Sequence, residues 1–175
     1  MEDTVKHILS KTNDCELTGV QHGDSQPNAV DLRVKKIFEI NKKSPFTISE
    51  EGKTHRGSTE VQPDEEGWFN LERGTYEIIM ENVVSVEEGY AGFVITRSTL
   101  NRNGLFITSG LYDSGYHGVM AGCLHVRVGP AKIKKGTRVG QFLLFEAETL
   151  SMYDGSYGIG KQHDNKYGEV SGNKH

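Results

Sequence analysis

The chain has 175 residues, 35% of them hydrophobic and 25% charged, with a net charge of -4 and a pI near 6.0. These values suit one folded domain with a real core. They exclude a disordered chain, and they speak against direct nucleic-acid binding, which would call for a basic face. No apolar run approaches the roughly 18 residues that span a bilayer, and the N-terminal MEDTVKHILSKTND lacks a signal-peptide core. The expected setting is cytoplasmic (or a host cytoplasm if the source is viral), without a membrane partner.

In chain order, the first expected element is a short helix, because Val5, Ile8 and Leu9 recur at i, i+3 and i+4 behind Asp3 and Thr4. Val30, Leu32, Val34, Phe38 and Ile40 then all fall on even positions, which predicts a long strand with one buried face. Residues 41–66 are polar and read as an extended loop or irregular hairpin. Strands are expected over 68–71, 75–81, 92–96, 105–108, 119–128 and 140–148, separated by the turn signals ERG, EEGY, NRNG, DSGYHG and VGPAKIKKG. Spread-out glycines, 21 in all, suit many turns between short strands. No second helix, internal repeat or βαβ alternation is expected. Residues 1–150 therefore read as an all-β sandwich or barrel. Residues 151–175 are rich in Gly, Tyr and polar side chains and read as a flexible arm.

Cys15 and Cys123 fit no metal-ligand spacing and are expected as reduced thiols. The seven histidines are scattered, so any metal should be hard and oxygen-bound. Four stretches carry candidate chemistry. Asp31, in AVDLRV, is either a solvated strand residue or a carboxylate that holds an arginine or a hydrated metal. Arg97, Ser98 and Thr99 end an apolar strand; they are a polar cap or a phosphate-gripping set of a guanidinium fork with hydroxyls. LYDSGYHG places Asp113 in a hairpin that is a plain turn or a ligand-reading loop. Arg138 and Gln141 frame a strand start that otherwise reads as a basic turn.

The motifs occur in an order that resembles the superfamily of trimeric dUTP diphosphatases (dUTPases) and dCTP deaminases over roughly residues 26–162. AVDLRV resembles the family's Ala-x-Asp-Leu element. RSTLNRNGL, with Arg102, resembles the Arg-Ser-Ser-Leu-x-Arg-x-Gly-Leu element of its deaminase-like and archaeal branch. LYDSGYHG resembles the Ile-Asp-x-x-Tyr/Trp-x-Gly hairpin, GTRVGQ matches Gly-x-Arg-x-x-Gln, and YDGSYGIGK stands where the family has its C-terminal arm. The resemblance implies a distorted, jelly-roll-like β-barrel that forms a homotrimer with shared active sites.

By the same resemblance, the reaction is hydrolysis of dUTP to dUMP and pyrophosphate, with Mg²⁺ on the triphosphate. Asp113 would activate the attacking water, and Asp31 would act on the metal only indirectly, through water. Substrate would be bound by Arg97, Ser98, Thr99, Arg102, Tyr116, Arg138 and Gln141, and by Tyr153, Tyr157 and Lys161 of the arm. Tyr116 would pack under the deoxyribose, and hairpin backbone groups would read the base. The glutamate that serves the related deaminases as general base has Cys123 at its position, a packed thiol that cannot replace a carboxylate. The alternatives are a dCTP deaminase or diphosphatase of the same fold, and a non-catalytic trimer that binds nucleotides or a partner.

Overall fold

The computed structural model describes residues 15–167. The helix expected around Val5, Ile8 and Leu9 lies outside them. Twelve strands and one short helix follow in order: β1 (Glu16–Leu17), β2 (Val30–Ile40), β3 (Thr47–Ser49), β4 (Gly52–Thr54), β5 (Ser58–Glu60), β6 (Trp68–Leu71), β7 (Gly74–Ser85), β8 (Tyr90–Thr96), α1 (Ser98–Arg102), β9 (Leu105–Thr108), β10 (His117–Val126), β11 (Ala131–Lys134) and β12 (Arg138–Glu146). A 3₁₀ turn covers Gln162–Tyr167.

The main sheet runs β8-β12-β2-β7-β10-β9, with β1 added to β7 and β5 to β2. Its two edges then meet. Gly92 and Tyr112 exchange backbone hydrogen bonds of 3.0 and 2.7 Å. Thr96 Oγ1 accepts from Ile107 N–H and donates to Ile107 C=O, and Ser109 Oγ likewise satisfies Val94. Hydroxyls thus replace a backbone ladder between β8 and β9 and nearly close the barrel, leaving little unpaired edge.

Alternation fixed most strands, but β2 shows its limit. Val30, Leu32 and Val34 are fully buried as expected, yet the next fully buried residue is Ile37. The pairing with β7 slips between Val34 and Lys36. This β-bulge inserts one residue and reverses the parity of the rest of the strand. Phe38 consequently faces a second apolar cluster with Ile79, Val119 and Tyr167. The polar 41–66 segment is an exposed β3–β4 hairpin followed by β5 on the edge of β2. Four elements were missed: the two-residue β1, paired with β7, the 3₁₀ turn over Gln162–Tyr167, β11 and α1. β11, inside a stretch that read as a turn, pairs with β6 and buries Ile133 beside Phe69. α1 is a single turn with no buried residue, so it has no apolar periodicity to detect.

Candidate active site

The first half of the site is built around Asp31, on β2, which has no exposed surface. Its Oδ2 lies 3.2 Å from Arg97 Nε and 3.4 Å from an Arg138 terminal nitrogen. Its Oδ1 accepts from Gln141 Nε2 at 3.0 Å. Residues three apart on a regular strand point to opposite faces. Arg138 and Gln141 nevertheless reach the same carboxylate, because the β12–β2 register shifts between Arg138 and Gly140. The bulge at Val139 is what makes the Gly-x-Arg-x-x-Gln spacing work. Its carbonyl also accepts from Arg97 N–H at 3.1 Å, which brings the end of β8 to the same point.

Of the roles open to Asp31 in the sequence, the geometry shows the holding of arginines. A fully buried carboxylate needs such partners. Both arginines remain partly exposed and present cationic surface on one side. Ser98 and Thr99 are exposed in the first turn of α1, beside Arg97. Arg102 is exposed in its last turn; among the described residues the side-chain partners of Asp31 are Arg97, Arg138 and Gln141, so Arg102 stands outside the cluster.

Sequence reasoning missed the support behind this cluster. Asp24, also without exposed surface, accepts from Arg33 at 2.6 and 3.0 Å and from Gln21 N–H at 2.9 Å. The hydrogen bond to Asp24 holds the Arg33 guanidinium above its ordinary pKa, against the opposing effect of burial. The pair pins the loop whose Gly23 carbonyl accepts from Arg138 at 2.7 Å. Asp24 lies in the polar loop GVQHGDSQPN, where no local pattern separates it from a solvated turn residue.

The second half of the site is the hairpin after β9. Gly115 takes φ +88, the left-handed region that glycine tolerates best, so the chain turns sharply after Asp113 and Ser114. Asp113 is exposed at the turn, while Tyr112 and Tyr116 on either side of it are buried. The Tyr116 hydroxyl donates to Val119 C=O at 2.8 Å, and its ring meets Tyr112 and Tyr153 edge-on at 5.1 and 5.5 Å. Burial pushes the Tyr112 phenol up to about 12, so it stays protonated at neutral pH. These rings line a cavity of about 410 Å³ with Gly110, Ala121 and Glu77.

The arm packs along one side of this cavity on its own chain. Tyr153 N–H donates to Ser114 C=O at 2.7 Å and Ile159 N–H to His117 C=O at 3.0 Å. Gly158 crosses Gly118 so closely that a Cβ on Gly118 would stand 2.6 Å from the Gly158 Cα. Tyr153 and Tyr157 line the cavity, whereas Lys161 Nζ pairs with Asp154 at 3.8 Å. No apolar anchor is evident in the arm's own residue pattern; the structure supplies Tyr167, packed on Phe38, Ile79 and Val119 and bonded to Glu77. Glu77 also stands directly across the β7–β10 ladder from Cys123. Burial first, and the Glu77 charge second, push the Cys123 thiol up.

One chain does not bring the two halves together. Tyr112 pairs with Gly92 near the start of β8, whereas Arg97 follows its end. Gly92 and Arg97 are five residue steps apart along the strand, roughly 16 Å at about 3.3 Å per residue. Among the described residues no group of three or more His, Cys, Asp or Glu side chains is arranged to hold a metal ion. With Asp31 enclosed by its arginines and Gln141, the described residues offer no ready set of direct metal ligands. No helix among the described residues is long and apolar enough to cross a membrane.

Known proteins give this architecture its place. A family model described as dCTP deaminase-like matches residues 2–147. A probable deoxyuridine 5'-triphosphate nucleotidohydrolase of Halobacterium salinarum is 34% identical over 137 residues, covering 75% of this chain and 81% of that protein. One of Aeropyrum pernix is 32% identical over 151 residues, covering 82% and 93%. Among solved structures, the 2'-deoxycytidine 5'-triphosphate deaminase of Agrobacterium tumefaciens matches with a TM-score of 0.61 at 15% identity, over 83% of this chain. This chain spans about half of that deaminase (47%), and at that identity the likeness concerns the fold alone. With a family model matched along most of its length and relatives above 30% identity, the chain belongs to the dCTP deaminase-like family, in the superfamily that its motifs resemble.

Proposed function

We propose that this chain is a dUTP diphosphatase, converting dUTP and water to dUMP and pyrophosphate. The observation that carries the reading is the pair of arginines, Arg97 and Arg138, fixed on a carboxylate with no exposed surface. Such a rigid cationic pair suits a polyphosphate, and the relatives that share the family are named for hydrolysis of deoxyuridine triphosphate. In the proposed step, Asp113 orients a water in line with the α-phosphorus and takes its proton. The new P–O bond forms as the bond to the bridging oxygen breaks, and that electron pair leaves with pyrophosphate. Arg97 and Arg138 offset part of the roughly four negative charges of the triphosphate, and the Ser98 and Thr99 hydroxyls donate hydrogen bonds to its oxygens. Mg²⁺ enters as part of the substrate complex. Tyr116, Tyr153 and Tyr157 enclose the base and sugar, and Lys161 is free to exchange Asp154 for a phosphate.

Because Asp113 and the arginines lie at opposite ends of β8, the complete site requires a second copy, in keeping with a homotrimer. Phe93, Ile95 and Phe145 are 37–41% exposed on the outer face of β8 and β12, an apolar face suited to burial between copies. A second reading has one observation behind it. Glu77 puts a carboxylate beside the cavity, across from Cys123, and so provides an acceptor for the amino group of cytosine. One assay separates them: incubate the protein with Mg²⁺ and each dNTP, and measure pyrophosphate and ammonia. Pyrophosphate from dUTP alone supports the first reading; ammonia or pyrophosphate from dCTP supports the second. Silence with every dNTP overturns both.

A further inference from the structure

The β9–β10 ladder has a constant register, Val126 opposite Leu105, Leu124 opposite Ile107 and Cys123 opposite Thr108. Continued by two residues, it would place Ala121 opposite Gly110. In an antiparallel ladder alternate residues direct N–H and C=O to the same neighbour, so Cys123 and Ala121 face the same side. The ladder nevertheless stops. Beyond Thr108 the chain leaves β10 and joins β8 at the Tyr112–Gly92 pair. A Cβ added at Gly110 would meet nothing within 4 Å, so the strands have parted there.

Tyr112 fills the gap from inside. Its hydroxyl accepts from Ala121 N–H at 3.0 Å and donates to Ala121 C=O at 3.0 Å. The ring cannot move freely, because it is buried and meets Tyr116 at 5.1 Å and Phe142 at 6.2 Å. One immobile phenol therefore satisfies both groups that would otherwise pair with Gly110, at the inner wall of the cavity.

We propose that Tyr112 is a positioning residue that keeps the base pocket open, its hydroxyl acting as a wedge that stops β9 and β10 from closing by one more pair. Assigning the pocket to a nucleobase rests on the function proposed above; the wedge itself rests on the register alone. Without the hydroxyl, the partly buried Ala121 N–H and C=O would lose the one group that satisfies both of them, which is unfavourable. The nearest relief is Gly110, whose missing side chain offers no resistance. Closure would narrow the pocket without touching Asp113 or the arginines.

The test compares full-length wild type with Tyr112→Phe, which keeps the ring in the core. KM for dUTP should rise about tenfold while kcat stays within about twofold, since only the binding pocket changes. Amide hydrogen exchange gives a reading independent of activity: the Gly110 amide should exchange fast in wild type and become at least about tenfold more protected in the variant. A lower KM would overturn the proposal, because the base itself would then be taking over Ala121. Loss of kcat at constant KM, or unchanged Gly110 exchange, would overturn it as well. If wild type hydrolyses no dNTP, the proposed function fails while the exchange data still decide the wedge. If the variant does not fold, wild type decides it: a Gly110 amide as protected as Thr108 would refute the open gap.

Discussion

Asp31 and Arg138 approach to 3.4 Å although 107 positions separate them, and the carboxylate has no exposed surface while the guanidinium keeps about a third of its own. The asymmetry defines their division of labour. Asp31 is the fixed anchor, and the arginines project the charge. Asp31→Asn removes the charge and leaves two arginines without a counterion. Breaking a fully buried pair costs about 3–5 kcal/mol; with both guanidinium groups partly hydrated, about 2 kcal/mol is expected here. Thermal melting should show a lower Tm, and steady-state kinetics should show at least about a tenfold loss of kcat/KM for dUTP.

Asp113 is exposed on the hairpin turn, so its side chain contributes little to folding. Asp113→Asn should melt with wild type and bind a non-hydrolysable dUTP analogue normally. Single-turnover pyrophosphate release should slow by about 10² or more, the scale for a lost general base. Unchanged turnover would remove Asp113 from the mechanism.

Separation of the halves along β8 makes complementation possible. Asp113→Asn retains the arginine cluster, and Arg138→Ala retains the carboxylate. Unfolded together in equal amounts and refolded, the two inactive chains should recover about a quarter of wild-type activity, because one site in four takes each intact half from a different copy. Equal mixtures that stay inactive would mean that each chain builds its own site.

Truncation after Thr149 removes the arm that covers Tyr116. Its loss should lower kcat/KM for dUTP at least about tenfold by admitting bulk water. Tyr167 is buried against Phe38, Ile79 and Val119, so the truncated chain should also lose about 1–2 kcal/mol of stability. Differential scanning calorimetry separates this from a free tail, whose removal would leave both quantities unchanged.

The Cys123 thiol is pushed up by burial and by Glu77, so its thiolate is scarce at neutral pH. Iodoacetamide should label Cys123 more slowly than a free cysteine at about pH 8. Glu77→Gln removes the negative charge, lowers the thiol pKa and should speed labelling, with the rate–pH curve moved to lower pH. A curve that does not move would deny the cross-strand influence of Glu77.

Much of this protein is legible in its sequence, for a reason that is local. Burial of one sheet face imposes a period of two, so Leu32 and Val34, or Leu124 and Val126, announce their strands without any partner. Residue types that suit phosphate and water activation, Arg97, Arg138 and Asp113, likewise stand out by chemistry and order. The features that the tertiary structure alone decided depend on partners far along the chain. One extra residue at Lys35 or Val139 reverses strand parity, and only the facing strand creates that bulge. The bulge at Val139 carries Arg138 and Gln141 to one carboxylate, and the pairing of β8 with β12 brings Arg97 to it. Asp24 resembles any polar loop residue until Arg33 binds it, and Tyr112 resembles any hairpin aromatic until its hydroxyl meets Ala121. Local sequence reports how much of a residue is buried; which polar group it must satisfy there is settled only when the barrel closes.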